Sequence, residues 1–141
     1  MVDYRYSVSL RFWHPSRSPA EITAALQIEP SRSWAVGVAR RTPKGTPLTG
    51  VYTENYWTAR MIDGTSVDRD LAGAIELVLD KLDGRKSFLQ EYASSGGHSE
   101  LFIGWFFDDG NSGDELGHRL LARLAEFRID LSFDVYPTAQ N

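Results

Sequence analysis

The sequence predicts an α+β fold. Strand-length segments alternate apolar and polar residues, while the segments between them carry Leu, Ile and Val at helical spacing. The chain also repeats one plan. "SLRFWHPSRSPAEITAALQI" and "FIGWFFDDGNSGDELGHRLLARLAEFRI" each read as an aromatic-ended strand, a polar loop, a capped helix and an Ile leading out. Two β-α-β-like half repeats in one small chain favour a ferredoxin-like arrangement, a mixed or antiparallel sheet with helices packed on one face.

The first strand runs from about Tyr4 to Trp13, with Tyr6, Val8, Leu10 and Phe12 in phase. Ser18, Pro19 and Glu21 then spell a capping box with proline at the first helical position, and that helix stops before Pro30. Residues 31–50 read as irregular, with a short strand near Ser33–Val36. "NYWTARMI" (55–62) is a strand. Leu71, Ile75, Val78, Leu79 and Leu82 mark a long helix ending at Gly84, with a further turn at Phe88 and Leu89. "SSGG" (94–97) is a linker. "ELFIGWFF" (100–107) is apolar on both faces and belongs centrally in the sheet. A second S-x-x-E box, Ser112 to Glu115, opens a helix striped with Leu116, Leu120, Leu121, Leu124 and Phe127. The last strand, "DLSFDVYP", points Leu131, Phe133 and Val135 one way.

The 141 residues make a single domain, 1–141, large enough to bury a core unaided. Disorder is expected only at the termini and in the 37–50 loop. There is no cysteine, which excludes disulfides, thiolate metal sites and cysteine nucleophiles. The N-terminus alternates where a signal peptide would not, and no 18-residue apolar run exists, so the expected setting is cytoplasmic, with no membrane partner. A net charge of −4 argues against nucleic acid.

The charge is uneven. No Asp or Glu lies between Glu29 and Glu54, and Arg32, Arg40, Arg41 and Lys44 make that segment +4 against −8 elsewhere. Two arginines can grip a carboxylate or phosphate bidentately, and a lysine adds a mobile charge. Trp34, Tyr52 and Trp57 flank them and would supply flat contacts to a ligand or partner. The loop is not a Walker A motif. Its plainer reading is a solvated loop whose tryptophans belong to the core.

Asp108, Asp109, Asn111 and Asp114 offer oxygens to a cation, but their spacing breaks the EF-hand order, and helix capping accounts for them. His14, His98 and His118 form no ligand pair. His14 ends the first strand and His98 begins the central one. Antiparallel pairing is expected to put them at opposite ends of the sheet, and parallel pairing to bring them together. A His14–Asp or His98–Glu100 acid/base pair is the chemistry they would allow. Phe12, Trp105, Phe107 and Phe133 alternate as core residues, whereas Trp13 and Phe106 point the other way. If helices cover one face alone, those two belong to an apolar patch, unless Trp57 and residues 84–93 cover it.

"VSLRFWHPSRSPAEITAALQIEPSRSWAVGVARRTPKGTPLTGVYTENYW", "ELFIGWF" and "IDLSFDVYP" together resemble the bacterial family catalogued as domain of unknown function 4279, over nearly the whole chain. The resemblance implies a small single-domain bacterial protein and carries no activity and no catalytic residues. The expectation is a non-enzymatic binding module without cofactor. Its 32–57 segment (Arg32, Trp34, Arg40, Arg41, Lys44, Tyr52, Trp57) would engage an acidic protein or a small anionic ligand. Alternatives are a small enzyme on an anionic substrate using His14 or His98, and a sheet-mediated homodimer.

Overall fold

In the computed structural model, residues 4–62, 70–107 and 113–137 are described. Seven strands and four helices follow in the order β1 (Tyr4–His14), α1 (Pro19–Leu26), β2 (Arg32–Trp34), β3 (Ala39–Arg41), β4 (Pro47–Val51), β5 (Asn55–Ile62), α2 (Leu71–Lys81), α3 (Lys86–Ser94), β6 (His98–Phe107), α4 (His118–Glu126) and β7 (Ile129–Pro137). Five strands form a mixed sheet in the order β2-β5-β1-β6-β7, and β3 and β4 form a separate hairpin. The α+β expectation holds.

β1 is the sheet's axis. It pairs antiparallel with β5 on one side and with β6 on the other, while β2 runs antiparallel to β5. β1 and β2 are therefore parallel with β5 between them, and β5 and β6 are parallel with β1 between them. β6 and β7 pair directly and in parallel. The two half repeats thus differ: α1 crosses over one intervening strand, whereas α4 joins two neighbours. β6 lies inside the sheet as expected, flanked by β1 and β7.

The period-two pattern decides which face is buried. Tyr6, Val8, Leu10 and Phe12 of β1 join Trp57, Ala59, Leu101, Ile103 and Ile129 in one cluster with the apolar stripes of all four helices. Phe12 sits at its aromatic centre, edge-on to Trp57 at 5.4 Å and to Tyr92 at 5.5 Å. Segment 84–93 adds Leu89 and Tyr92 to this cluster, so it covers the helical side of the sheet and not the opposite one. At the far edge Leu131 is half-buried, but Phe133 and Val135 on the same side of β7 are exposed, as is Leu121 of the expected stripe. Trp105 is half-buried, and the side chain of Phe107 lies outside the described residues.

Local signals were met unevenly. Ser18 is the N-cap of α1 with Pro19 following, yet its side chain makes no capping hydrogen bond. The Glu21 carboxylate pairs instead with Arg17 at 3.0 Å. The helix ends at Leu26, where Gln27 turns left-handed at φ 57°. α2 opens on Asp70, whose carboxylate accepts from the Gly73 N–H at 2.8 Å. The amide of Leu71 donates to Asp114 at 3.2 Å. α4 starts at His118 with Gly117 as N-cap, so Glu115 precedes the helix, and Ser112 lies outside the described residues. Gly97 permits the turn into β6, since a Cβ there would lie 2.3 Å from the Tyr92 ring.

Phe12→Ala should destabilise the fold by about 3–5 kcal/mol, because it empties the centre of a packed aromatic cluster. Urea unfolding followed by tryptophan fluorescence measures it.

Candidate functional site

The face of the sheet turned away from the helices carries its own side-chain order. The register places Trp34 beside Tyr56, Tyr56 beside Trp13, and Trp13 beside His98, one row crossing four strands. Adjacent rings are 4.3 Å apart for Trp34–Tyr56, 5.3 Å for Tyr56–Trp13 and 4.9 Å for Trp13–His98. Tyr52 extends the row at one end, stacked 4.2 Å from Trp34 and 11° from parallel. At the other end His98 Nε2 lies 3.0 Å from the Asp130 carboxylate.

The next row is ionic. Arg11 pairs with Glu100 at 3.3 Å and donates through Nε to the Tyr56 hydroxyl at 3.1 Å. Its guanidinium lies 4.5 Å from the Phe102 ring centre and 5.0 Å from that of Trp13. The cation is thus neutralised and held against aromatic rings.

The loop expected to be irregular is a hairpin resting on this face. Gly45 (φ 89°) turns it, with the Thr42 N–H donating to Thr46 O at 2.9 Å. The Tyr52 hydroxyl donates to Arg41 O at 2.9 Å and accepts from Arg41 N–H at 3.0 Å. Arg32 reaches the same carbonyl at 2.7 Å. Arg40 donates to Thr49 O and Arg41 to Gly45 O, at 3.1 and 3.2 Å. These bonds leave both guanidiniums on exposed residues with further N–H groups to offer.

The structure therefore brings together Arg32, Trp34, Arg40, Arg41 and Tyr52, with Lys44 exposed at the turn. Trp57 is elsewhere. It is fully buried on the helical side, its indole N–H donating to Thr23 Oγ at 2.9 Å, and it offers no surface to a partner. Strand alternation explains the split, since Tyr56 and Trp57 must face opposite ways. The rings of Trp34 and Tyr52 also stack on each other, so the pair presents less free ring face than two isolated rings.

Two shallow hollows share Trp13 and Glu54 and form one groove. One, about 280 Å³, is lined by Trp13, Trp34, Arg40, Tyr52 and Glu54. The other, about 360 Å³, is lined by Arg11, Trp13, Glu54, His98, Glu100 and Phe102. Sequence reasoning missed Arg11 and Glu54 as groove residues, because the pairing of β1 with β5 and β6 and the approach of the hairpin place them there. A larger hollow, about 560 Å³, lies beside α4 and the start of β7. It is mainly apolar, and the Arg128 guanidinium at its rim is bonded to the Ala125 carbonyl at 2.8 Å.

His14 and His98 end up close in the fold. The expectation had the geometry reversed: antiparallel pairing sets the end of β1 against the start of β6, so Trp13 faces His98. The two histidines nevertheless occupy opposite faces. His98 partners Asp130 and not Glu100, which belongs to Arg11. His14 is buried, and its Nδ1 accepts the backbone N–H groups of Ser16 and Arg17, both at 3.0 Å. The ring proton therefore sits on Nε2 and is donated to Ser95 Oγ at 2.9 Å. Both nitrogens are engaged in holding the β1–α1 turn.

Of the acidic loop, Asp108, Asp109 and Asn111 lie outside the described residues. Asp114 is engaged by the α2 amide already noted. Among the described residues no three metal-ligating side chains converge, and no helix is long and apolar enough to cross a membrane.

Fold and site together define a small α+β protein with helices on one sheet face and an aromatic, charged groove on the other. The chain belongs to the family described as Domain of unknown function (DUF4279), whose model matches residues 4–138. No curated protein matches it. No solved structure does either.

The His14 environment predicts a pH dependence. Burial, and then the nearby Arg17 charge, lower its pKa from 6.5, while Glu21 and a hydrogen bond to Ser95 act the other way. Protonation would also remove the acceptor used by two backbone amides. The unfolded chain binds this proton more readily, so stability rises with pH across the interval. The His14 contribution should be complete above about pH 6.5 and lost as pH falls below it. In His14→Gln that component of the stability–pH curve should vanish, as read by urea midpoints between pH 5 and 8.

Proposed function

We propose that this protein is a non-enzymatic binding module whose β3–β4 hairpin engages an acidic protein segment or a small anionic ligand at the edge of the open-face groove. The observation that carries this reading is the hairpin's construction. Tyr52 and Arg32 clamp it onto the sheet, so Arg40, Arg41 and Lys44 are held exposed on an ordered scaffold without a carboxylate between residues 30 and 53. Preorganised cations lose less entropy on binding an anion than cations on a floppy loop. We also read β1 to β6 as a ferredoxin-like unit with α4 and β7 appended. The two parallel strand pairs that each enclose a third strand support that reading.

An enzymatic reading on an anionic substrate rests on the His98–Asp130 contact. Its support is weaker, because both side chains stand on open surface, 48% and 72% exposed, and His14 is committed to the turn.

Titration of the ¹⁵N-labelled protein with an Asp/Glu-rich peptide, and separately with inorganic phosphate, tests the proposal. Amide shifts should cluster at residues 38–52 with one of the two probes. Arg40→Ala/Arg41→Ala/Lys44→Ala should weaken that binding at least about tenfold, and Arg119→Ala on α4 should not. Equal binding by the triple variant, or shifts confined to the helical side, would overturn it.

A further inference from the structure

The open face is polarised across the strand order. Arg32 lies on edge strand β2, and the hairpin carrying Arg40, Arg41 and Lys44 rests against it, with Arg60 exposed on the neighbouring β5. At the opposite edge β7 turns Asp130 and Asp134 to the same face, in register with Glu100 and Gly104 of β6. Between the edges lie Trp13, Phe102 and Phe106, all half-buried, with the Phe106 ring stacked on Tyr136 at 5.0 Å. In this middle zone Arg11 and Glu100 cancel each other. Arg5 of β1 is also exposed there, over the Phe106 ring, and Glu54 stands in the groove beside the basic edge. Net of these, the face runs from basic through largely apolar to acidic over four strand spacings, about 19 Å.

A surface with that order is complementary to itself after a half-turn. Two copies placed face to face, related by a two-fold axis near β1, set each hairpin against the other's β7 and each apolar zone against its equal. From this charge pattern we propose that the acidic partner of the hairpin is a second copy of this chain, docked through the open sheet face. The inference rests on the reading of the hairpin as an acid-binding surface and names what it binds. Area agrees: five strands at about 4.8 Å by about eight residues give roughly 600 Å² per copy. The total of about 1,200 Å² is at the lower end for specific association. An interface of that size with exposed ion pairs at its rim should be salt-sensitive.

Sedimentation velocity on the full chain, from about 1 to 200 μM at low salt, should show a species of twice 15.8 kDa that recedes at high salt. Two charge-reversed variants make the test specific: Arg40→Glu/Lys44→Glu on the hairpin and Asp130→Lys/Asp134→Lys on β7. Circular dichroism and thermal melts establish that each folds. Each alone should be monomeric, since like charges then face like. Their equimolar mixture should restore the dimer, because both contacts become complementary again. A dimer that persists in either variant uses another surface, such as the β7 edge, and overturns the proposal. So does a mixture that stays monomeric, or a monomeric wild type throughout. If the wild type is monomeric while the acidic peptide still moves the hairpin amides, only the self-association is wrong. If the wild type is monomeric and neither the acidic peptide nor phosphate moves them, both readings fall.

Discussion

The structure depends on one constraint: a five-stranded sheet is covered by helices on a single side. Every apolar stripe among the four helices meets the same face, and Phe12, Trp57 and Tyr92 lock together at its centre. The other face must then be stable without a helical layer, covered only at one edge by the β3–β4 hairpin. It manages this by packing its side chains on one another, ring against ring along the Tyr52–Trp34–Tyr56–Trp13–His98 row, with Arg11 wedged among them. Aromatic pairs of this kind are worth about 0.5–1.5 kcal/mol each beyond burial. A surface built this way is held in place by its own contacts.

The same row ties fold to site. Tyr52 stacks on a sheet residue while its hydroxyl holds both backbone groups of Arg41, so the sheet dictates where the hairpin lies. Asn55, buried at the start of β5, accepts the Val36 N–H at 2.8 Å and fixes the chain just before the hairpin. Positive charge is thereby presented at one edge of the open face by hydrogen bonds to carbonyls. Among the described residues no ion pair to Arg32, Arg40, Arg41 or Lys44 cancels it.

His14 shows how burial separates a structural histidine from a chemical one. Two inward amides and one serine hydroxyl use both ring nitrogens, and desolvation keeps the ring neutral. His98, one strand away on the other face, stacks on Trp13 and pairs with an exposed carboxylate. The same residue type thus anchors a turn on one side and terminates the aromatic row on the other.

By itself the sequence determined the elements whose periodicity is strong and the inward residues of their central parts: Tyr6 to Phe12 in β1, 55–62 as β5, and Leu71 to Leu79 in α2. It also marked the acid-free basic stretch and the opposite phase of Trp13, both visible in composition and alternation. Only the tertiary structure decided that Trp34 and Trp57 part company, that residues 39–51 pair as a hairpin, and that Arg11 and Glu54 join the groove. These outcomes depend on register between strands distant in sequence, on Tyr52 meeting Trp34, and on Phe12 meeting Trp57. Such contacts are fixed by how whole faces pack, and no local pattern encodes them.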